Sequence, residues 1–448
     1  MILNPELQRN IWLEFNPQRL VMMPAILLLM FGTIWITIGQ RWFATMDVAA
    51  ILLFFILTGF WGGKRAMDAI AEEVQQHTWE NQVLSTLTPW TLTWGKLLGT
   101  TLYTWYGGVI CLVIWAMNAL QQFNVTEVIK VLLALVLAAL LVQSLAFVLG
   151  LLFIRKGVRI GTRRSNLIFL AVMLIFIGIF PFSGSELALQ HVRVVWHGTS
   201  LAALDFLVLS LALWSCWMLT GCYRLMRSEL MYRNGPWVWW GFLACILVYI
   251  NGFDRLSLGD EWLGTAVDSS VKSFLIILLI SYFMLINEPK DFVIFRRLRL
   301  SLDRGALQFL NHLPCWALSV PVLLGYAGIL LAQLSGQDAI LSSWFSPTFA
   351  LGVCLFFLRD AALFVYLNQS LPKGKADTTA LIYLFVLYLV IPILLGRLDQ
   401  SGWIMSLFVP SPLQSTFQNL VPPLIELALL VMLLLSKRNR LPSPVPTG

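Results

Sequence analysis

Four acidic residues stand between the second and third apolar runs of the chain, in a polar segment compatible with a helix: Asp68, Glu72, Glu73 and Glu80. Trp79 precedes Glu80, and Thr88-Pro89-Trp90 then predicts a helix break, because proline has no amide proton to donate. Taken alone, such a segment indicates a solvated, charged loop that only fixes membrane topology. The alternative is a helix whose carboxylates dock into a basic cleft of another protein.

Charges also occur within the apolar runs. Arg359 and Asp360 interrupt the sequence FFLRDAALF, and a charged side chain in hydrocarbon is usually paired or functional. Neighbours in a helix point about 100° apart, so these two need not pair with each other, and each is expected to bond a facing helix. A structural pair is the first interpretation and a polar translocation path the second. Asp205 and Glu426 lie near the outer starts of the sixth and twelfth runs, where they would reach the membrane interface.

Catalytic chemistry is not predicted. The phosphate-binding pattern G-x-x-x-x-G-K-[ST] is absent from the sequence, since the Gly-Lys pairs at 63–64, 95–96 and 374–375 are each followed by another residue type. The sequence therefore gives no sign of nucleotide hydrolysis by this chain, which is expected to be no enzyme and to hold no cofactor. The six cysteines have no CxxC spacing, so no metal site is predicted.

The elements that must position these residues follow from composition. Of 448 residues, 58% are hydrophobic and 12% are charged, and the mean hydropathy is +0.79. A soluble protein cannot bury so much apolar surface, and long continuous runs in hydrocarbon must be helical. We therefore predict an all-α polytopic integral membrane protein with about twelve spans, at 20–39, 47–62, 97–119, 128–154, 167–182, 200–223, 237–252, 271–287, 315–334, 347–367, 379–396 and 421–436.

The distribution of basic residues predicts the topology. With a cytoplasmic N-terminus, 23 of the 30 Lys and Arg residues fall in cytoplasmic segments, as the positive-inside rule requires. Both termini are therefore expected in the cytoplasm. The same rule accounts for the net charge of +7 without nucleic acid as a partner.

An internal repeat is also predicted. QVLSTLTPWTLTWGKLLG, from Gln82, aligns without gaps with QFLNHLPCWALSVPVLLG, from Gln308, and 8 of the 18 positions are identical. This offset of 226 residues indicates two parallel six-helix repeats. The first half covers 20–226 with a loop at 63–96, the divergent second half covers 227–440 with a loop at 288–314, and 441–448 form a cytoplasmic tail.

Residues 1–19 precede the first span and are predicted to contain an amphipathic helix over 5–16. Asn4 can cap this helix and Pro5 suits its first turn. Leu7, Ile11 and Phe15 share a face that is expected to lie in the cytoplasmic membrane interface. A simple membrane anchor and a part in coupling both fit this pattern.

The run HTWENQVLSTLTPWTLTWGKLLG resembles the signature between the second and third spans of ABC-2 type ABC transporter permeases, and NPELQRN resembles that family's interface helix. The close resemblance covers about residues 4–120. It implies the permease subunit of a transporter, usually an exporter, in a bacterial inner (plasma) membrane, with cytoplasmic ABC ATPase subunits and membrane lipid as partners. Half-permeases normally pair, so a fused chain can supply the pathway alone, and a homodimer is possible but not required.

The resemblance also implies roles for particular residues. The coupling helix that docks onto an ATPase would contain Glu72, Glu73, Trp79 and Glu80. The return into the third span would contain Pro89, Trp90, Gly95 and Lys96. Gly95 and Gly99 in addition form a GxxxG pattern, which predicts close helix packing.

The second copy departs from this pattern. Glu80 maps to Ala306 and Lys96 maps to Val322, while Trp90 maps to Trp316. The counterpart loop is basic and contains Arg296, Arg297, Arg299 and Arg304. It either docks differently, docks another ATPase or faces anionic lipid headgroups. A further departure is His77, which stands where the family often has glycine.

Two other functions stay open. A secondary transporter driven by an ion gradient also allows two parallel six-span halves, although few acidic residues are predicted in mid-membrane. A membrane assembly factor that transports nothing would tolerate loss of the acidic residues Glu72, Glu73 and Glu80.

Overall fold

A computed structural model describes residues 4–38, 42–85, 87–155, 166, 169–170, 192–253, 265–288, 290, 292–335, 348–371, 375–395, 403–411 and 415–439. The chain divides into two units, Met1–Asn234 and Gly235–Gly448. The boundary predicted from the repeat, at 226/227, lies inside the helix Ala203–Glu229.

The first unit contains α1 (Pro5–Glu14), α2 (Pro17–Ile38), α3 (Trp42–Phe54), α4 (Gly62–Gln75), α5 (Trp79–Val83), α6 (Pro89–Ala119), α7 (Val125–Arg155) and α8 (Ala203–Glu229). A π-helical segment, Phe55–Trp61, joins α3 to α4 without a break. Pro89 begins α6 instead of separating it from a loop, since Thr88 caps the helix and proline suits its first position. The third span therefore starts at Pro89, two turns earlier than the predicted start at residue 97.

One part of the first unit is not helical. β1 (Arg193–Trp196) and β2 (Thr199–Ala202) form an antiparallel hairpin. His197 and Gly198 make its two-residue turn with φ angles of 46° and 72°, as a type I′ turn requires. The all-α prediction is wrong for this segment, because two adjacent valines favour a strand and the following span begins only at Ala203.

The second unit contains α9 (Trp237–Asn251), α10 (Thr265–Asn287), α11 (Phe292–Leu302), α12 (Ala306–Leu310), α13 (Cys315–Ser335), α14 (Phe349–Ser370), α15 (Ala376–Phe385), α16 (Ile391–Leu395), α17 (Trp403–Ser406) and α18 (Thr416–Asn439). A second π-helical segment, Val386–Val390, joins α15 to α16. Such segments free carbonyl groups and frequently occur at functional positions.

Ten helices in the described ranges are long and apolar enough to cross a membrane, and they coincide with ten of the predicted runs. Of the other two runs, 237–252 forms the 15-residue α9, and 167–182 lies outside the described residues apart from 169–170. Large apolar side chains such as Leu28, Leu29 and Leu279 point outward from these helices. Exposed apolar surface on this scale is stable in lipid and not in water, so the chain is a multi-pass membrane protein.

The core of the first unit forms where α4 and the helices α6 and α7 meet. A Cβ atom at Gly108 would collide with Thr58, and one at Gly150 would collide with the backbone of Met67. Small residues let membrane helices approach closely. Such packing contacts hold the helices together, because lipid tails are as apolar as the side chains and the hydrophobic effect does not drive helix association. Farther along α4, the ion pair between Glu73 and Lys96 joins it to the first turns of α6.

Candidate functional site

Helix α1 turns its polar side into the protein. The predicted cap is confirmed, since Asn4 Oδ1 accepts a hydrogen bond from the Glu6 amide at 3.1 Å. Glu6, Asn10 and Glu14 fall four residues apart and are all buried, whereas Trp12 is 75% exposed. The predicted apolar face of Leu7, Ile11 and Phe15 lies about 100° around the helix from this buried side and is only partly buried. The buried polar face was not anticipated from the sequence.

Two glycines of α6 make room for α1. A Cβ at Gly95 would lie 2.5 Å from Glu6 Cβ, and one at Gly99 would lie 2.7 Å from Asn10 Cβ. Asn10 Nδ2 donates to the Gly95 carbonyl at 3.3 Å, and Asn4 Nδ2 donates to the Thr91 carbonyl at 2.7 Å. Close packing at the GxxxG pattern is therefore confirmed, and the partner helix is α1.

Next to these glycines lies a group of residues that we call the Lys96 cluster: Glu6, Arg9, Glu73, Gln82 and Lys96. Lys96 is only 1% exposed and forms ion pairs with Glu73 and, at 3.4 Å, with Glu6. Arg9 Nη2 lies 2.9 Å from Glu73 Oε1 and 3.1 Å from Glu6 Oε1. Two cations face two carboxylates, so the buried charges are balanced.

Glu73 is the hub of this cluster. Its carboxylate contacts Lys96 on α6 and Arg9 on α1, and it accepts a hydrogen bond from Gln82 Nε2 on α5 at 2.7 Å. Because Glu73 itself belongs to α4, one side chain joins four helices. The Trp79 ring covers the cluster, with the Lys96 Nζ 5.8 Å from its centroid.

A second group of ion pairs holds the other end of α1. Glu14 pairs with Arg65 on α4 and, at 3.0 Å, with Arg19 on α2. Arg65 Nη1 lies 3.8 Å from the largely exposed Glu72 carboxylate. Both ends of α1 are therefore held by ion pairs to the neighbouring helices.

The residues predicted to couple to an ATPase fall into two groups. Glu73, Pro89, Gly95 and Lys96 are buried and make contacts within the unit. Glu72 and Glu80 are exposed, Trp79 is half-buried, and Trp90 is 56% exposed. Leu84, which was not singled out, is 84% exposed at the end of α5. The exposed surface of this first elbow (residues 76–90) includes the charged Glu80 and the large apolar side chains of Leu84 and Trp90.

The second elbow (residues 302–316) and the helix α11 that precedes it have a different surface. Arg296 and Arg297 on α11 and Arg304 in the following turn are exposed, and the side chain of Arg299 lies outside the described part. Trp316 is half-buried against the core of the second unit. The Glu288 carboxylate accepts a hydrogen bond from the Cys315 amide at 3.0 Å and so caps α13. No described atom lies within 4 Å of a Cβ built at Gly325, the counterpart of Gly99.

The second unit contains a buried polar group that we call the Arg359 network: Tyr282, Arg359, Asp360, Tyr388 and Glu426. Arg359 Nε and Nη2 donate to Asp360 Oδ1 at 3.0 and 2.8 Å, and Nη1 donates to Glu426 Oε2 at 2.7 Å. The hydroxyls of Tyr282 and Tyr388 donate to Asp360 Oδ2 at 2.7 and 2.8 Å. The guanidinium also lies over the ring of Phe356, 4.5 Å from its centroid. Four membrane helices therefore meet at one ionic centre.

The structural pairing expected first for Arg359 and Asp360 is observed, and the predicted place of Glu426 needs correction. Arg359 and Asp360 do pair with each other, because the long arginine side chain folds back over its neighbour, and both also bond facing helices. Glu426 does not lie near the outer start of its span, since α18 begins at Thr416 and Glu426 is near its middle. Asp205, in contrast, lies in the first turn of α8 and pairs with Lys130 at 2.7 Å, where both side chains are well exposed.

Tyr282 and Tyr388 were missed from the sequence, because a tyrosine in an apolar run is most often an interfacial anchor. Their relation to Asp360 depends on the packing of α10 and of the π-helical segment against α14. Among the described residues there is no group of three side chains suited to hold a metal ion.

Comparisons with known proteins identify no relative of the chain: no protein-family model, no curated protein and no solved structure matches it.

Proposed function

We propose that this chain is the membrane-spanning permease subunit of an ABC-2-type transporter, which couples ATP hydrolysis by separate cytoplasmic ATPase subunits to the movement of a substrate, in the export direction. The observation that carries the proposal is the Glu73 carboxylate, which ties the short helix α5 to α1, α4 and α6. The resemblance of residues 77–99 to the family's coupling segment supports it.

The geometry supports a mechanical role for the first elbow. Glu80, Leu84 and Trp90 offer one acidic and two apolar side chains to a partner. A force on α5 would reach the start of α6 through Gln82 and Glu73. The buried Glu73 carboxylate bonds both Gln82 and Lys96, so a movement of one contact changes the other. Closure of an attached ATPase would then displace α6 and α1 together.

Twelve spans in two fused, parallel halves remain part of the proposal. The short helix α12 and the span α13 begin at Ala306 and Cys315, while α5 and α6 begin at Trp79 and Pro89. At the offset of 226, Pro89 corresponds to Cys315, and the short helices agree to within one residue. This agreement supports the repeat. The basic residues support cytoplasmic termini, and the family resemblance supports a bacterial inner membrane location.

The test uses the tagged chain purified from its own membranes. We expect ATP hydrolysis to co-purify with it and ATP to drive flux after reconstitution. The double variant Glu80→Arg, Leu84→Asp should lower the bound ATPase activity about tenfold, equivalent to about 1.4 kcal/mol of binding. Gln121→Arg, an equally exposed change at the opposite end of α6, is the matched control. Equal hydrolysis in the double variant and the wild type would contradict the proposal.

One observation favours a second candidate, a transporter driven by an ion gradient. The Arg359 network lies midway along α14 and α18 and contains two carboxylates, whereas the sequence alone indicated few acidic residues in mid-membrane. This candidate predicts transport that collapses with a protonophore and persists without ATP. ATP-dependent flux that is insensitive to the protonophore would exclude it.

A further inference from the structure

The charges of the Arg359 network do not balance. Arg359 supplies one positive charge, and Asp360 and Glu426 supply two carboxylates. In the Lys96 cluster of the first unit, two cations face two carboxylates. An unbalanced charge inside a membrane protein is expensive unless a further cation neutralises it.

The hydrogen bonds show which of the two carboxylates can take up a proton, the simplest cation that would neutralise the network. Asp360 accepts four hydrogen bonds, two at Oδ1 from Arg359 and two at Oδ2 from the tyrosine hydroxyls. These fill its acceptor positions, and a proton on Asp360 would displace one of the donors. Glu426 accepts only the bond from Arg359 Nη1, at Oε2, and no donor from the described residues reaches Oε1. Its side chain is also 28% exposed, while that of Asp360 is fully buried.

We propose that Glu426 is a proton-binding site of the second unit and takes up one proton at Oε1. The proton makes the network neutral as a whole, with Asp360 and Arg359 remaining an ion pair. This inference rests on the described contacts of the second unit and holds for either candidate function.

The groups that face Glu426 are those of the elements packed against α18. On α14 they are Arg359, which donates to Glu426, and Asp360, the second negative charge. Tyr388 and Tyr282 lie behind Asp360 and are its donors. The short helix α17 contributes no titratable side chain. Among the described residues, one cation and one competing carboxylate therefore govern the binding of a proton.

Proton uptake has a structural consequence. It weakens the bond between Glu426 Oε2 and Arg359 Nη1, because a neutral carboxyl group is a poorer acceptor than a carboxylate. The Leu407 carbonyl lies 3.5 Å from the same Nη1 and is the alternative acceptor. Arg359 would then shift from α18 toward the segment that follows α17, and the contact between α14 and α18 would loosen.

The experiment is infrared spectroscopy of the full chain in lipid bilayers during a pH titration. Cell-free synthesis supplies glutamate or aspartate labelled with carbon-13 at the side-chain carboxyl group. We expect the carbonyl band of protonated carboxyl groups that appears on acidification to contain one component that shifts with labelled glutamate and is missing in Glu426→Gln. Asp205→Asn, which removes a balanced and exposed carboxylate, should retain the band.

Glutamine at 426 still accepts the bond from Arg359, so the variant is expected to fold. Glu426→Asp supplies an independent arm, because the band should then shift with labelled aspartate in place of labelled glutamate. A band that shifts only with labelled aspartate in the wild type would assign the proton to Asp360 and overturn the proposal. Glutamate-sensitive carbonyl bands that are identical in Glu426→Gln and the wild type would overturn it as well.

Discussion

The two elbows, which the proposed repeat places at corresponding positions, are held in different ways. In the first, Gly95 and Gly99 admit α1, and Lys96 is buried between Glu6 and Glu73. In the second, the corresponding positions are Pro321, Gly325 and Val322, and no described atom approaches a Cβ built at Gly325. The surfaces also differ, since Glu80 is exposed on the first elbow and Arg304 on the second.

The difference shows what a partner would meet at each elbow. The first exposes acidic and apolar side chains on and beside α5. Glu73 joins this helix to α1, α4 and α6 through a hydrogen bond and ion pairs, so the elbow can transmit a displacement. The second has exposed arginines and exposed leucines, such as Leu300 and Leu302. That composition suits an interfacial helix beside anionic lipid. Three pairs of matched substitutions test this contrast.

The largest effect is expected at Lys96. Lys96→Met leaves Glu6 and Glu73 buried with only Arg9 opposite them, and it should lower the free energy of unfolding by about 3–5 kcal/mol. Val322→Met, at the corresponding position, is expected to cost less than about 1.5 kcal/mol, because the change is between apolar side chains. Thermal unfolding of both variants in one detergent measures the contrast. Equal losses at the two positions would show that the Lys96 cluster does not stabilise the first unit.

Substitution of two glycines by alanine should change the stability of the protein in opposite directions. Gly99→Ala forces a methyl group against Asn10, at a separation of 2.7 Å, and should destabilise the first unit by about 1–3 kcal/mol. Gly325→Ala meets no described atom within 4 Å and should gain up to about 1 kcal/mol from helix propensity. Hydrogen exchange of α1 should rise only in Gly99→Ala. A loss of stability in Gly325→Ala would indicate an unrecognised partner at that position.

The smallest effects concern the turn before each short helix. His77 has a φ of 56° and Gly305 a φ of 109°, conformations that cost a residue with a Cβ about 1–2 kcal/mol. His77→Gly should therefore raise the melting temperature slightly, and Gly305→Ala should lower it. If His77→Gly were destabilising, the imidazole would have a role beyond the turn.

The secondary structure was largely predictable. Long apolar runs can satisfy their backbone in lipid only as helices, so ten predicted spans recur as helices. The cap at Asn4 and close packing at Gly95 and Gly99 were also predicted, because capping and small-residue contacts depend on local sequence. The start of the third span was not, since Thr88-Pro89 is compatible both with a helix break and with a helix start.

The sites were only partly predictable. Glu73 and Glu80 look alike in the sequence, yet one is the centre of a buried cluster and the other is exposed. Nothing in the sequence around Tyr282 and Tyr388 indicated that they belong to a buried polar network. Which polar side chains meet depends on the rotation of each helix about its axis, and apolar runs with weak periodicity leave that rotation undetermined.

Sequence by itself determined that this protein lies in a membrane as a series of helices. The free energy of transferring apolar side chains into lipid adds up residue by residue, and each helix makes its own backbone hydrogen bonds. Tertiary structure alone decided that α1 turns its acids inward onto Lys96, and that Glu426 meets an arginine already paired with Asp360. The physical reason is that a charge in a low-dielectric environment is governed by the few atoms in contact with it, and these atoms come from helices far apart in the sequence.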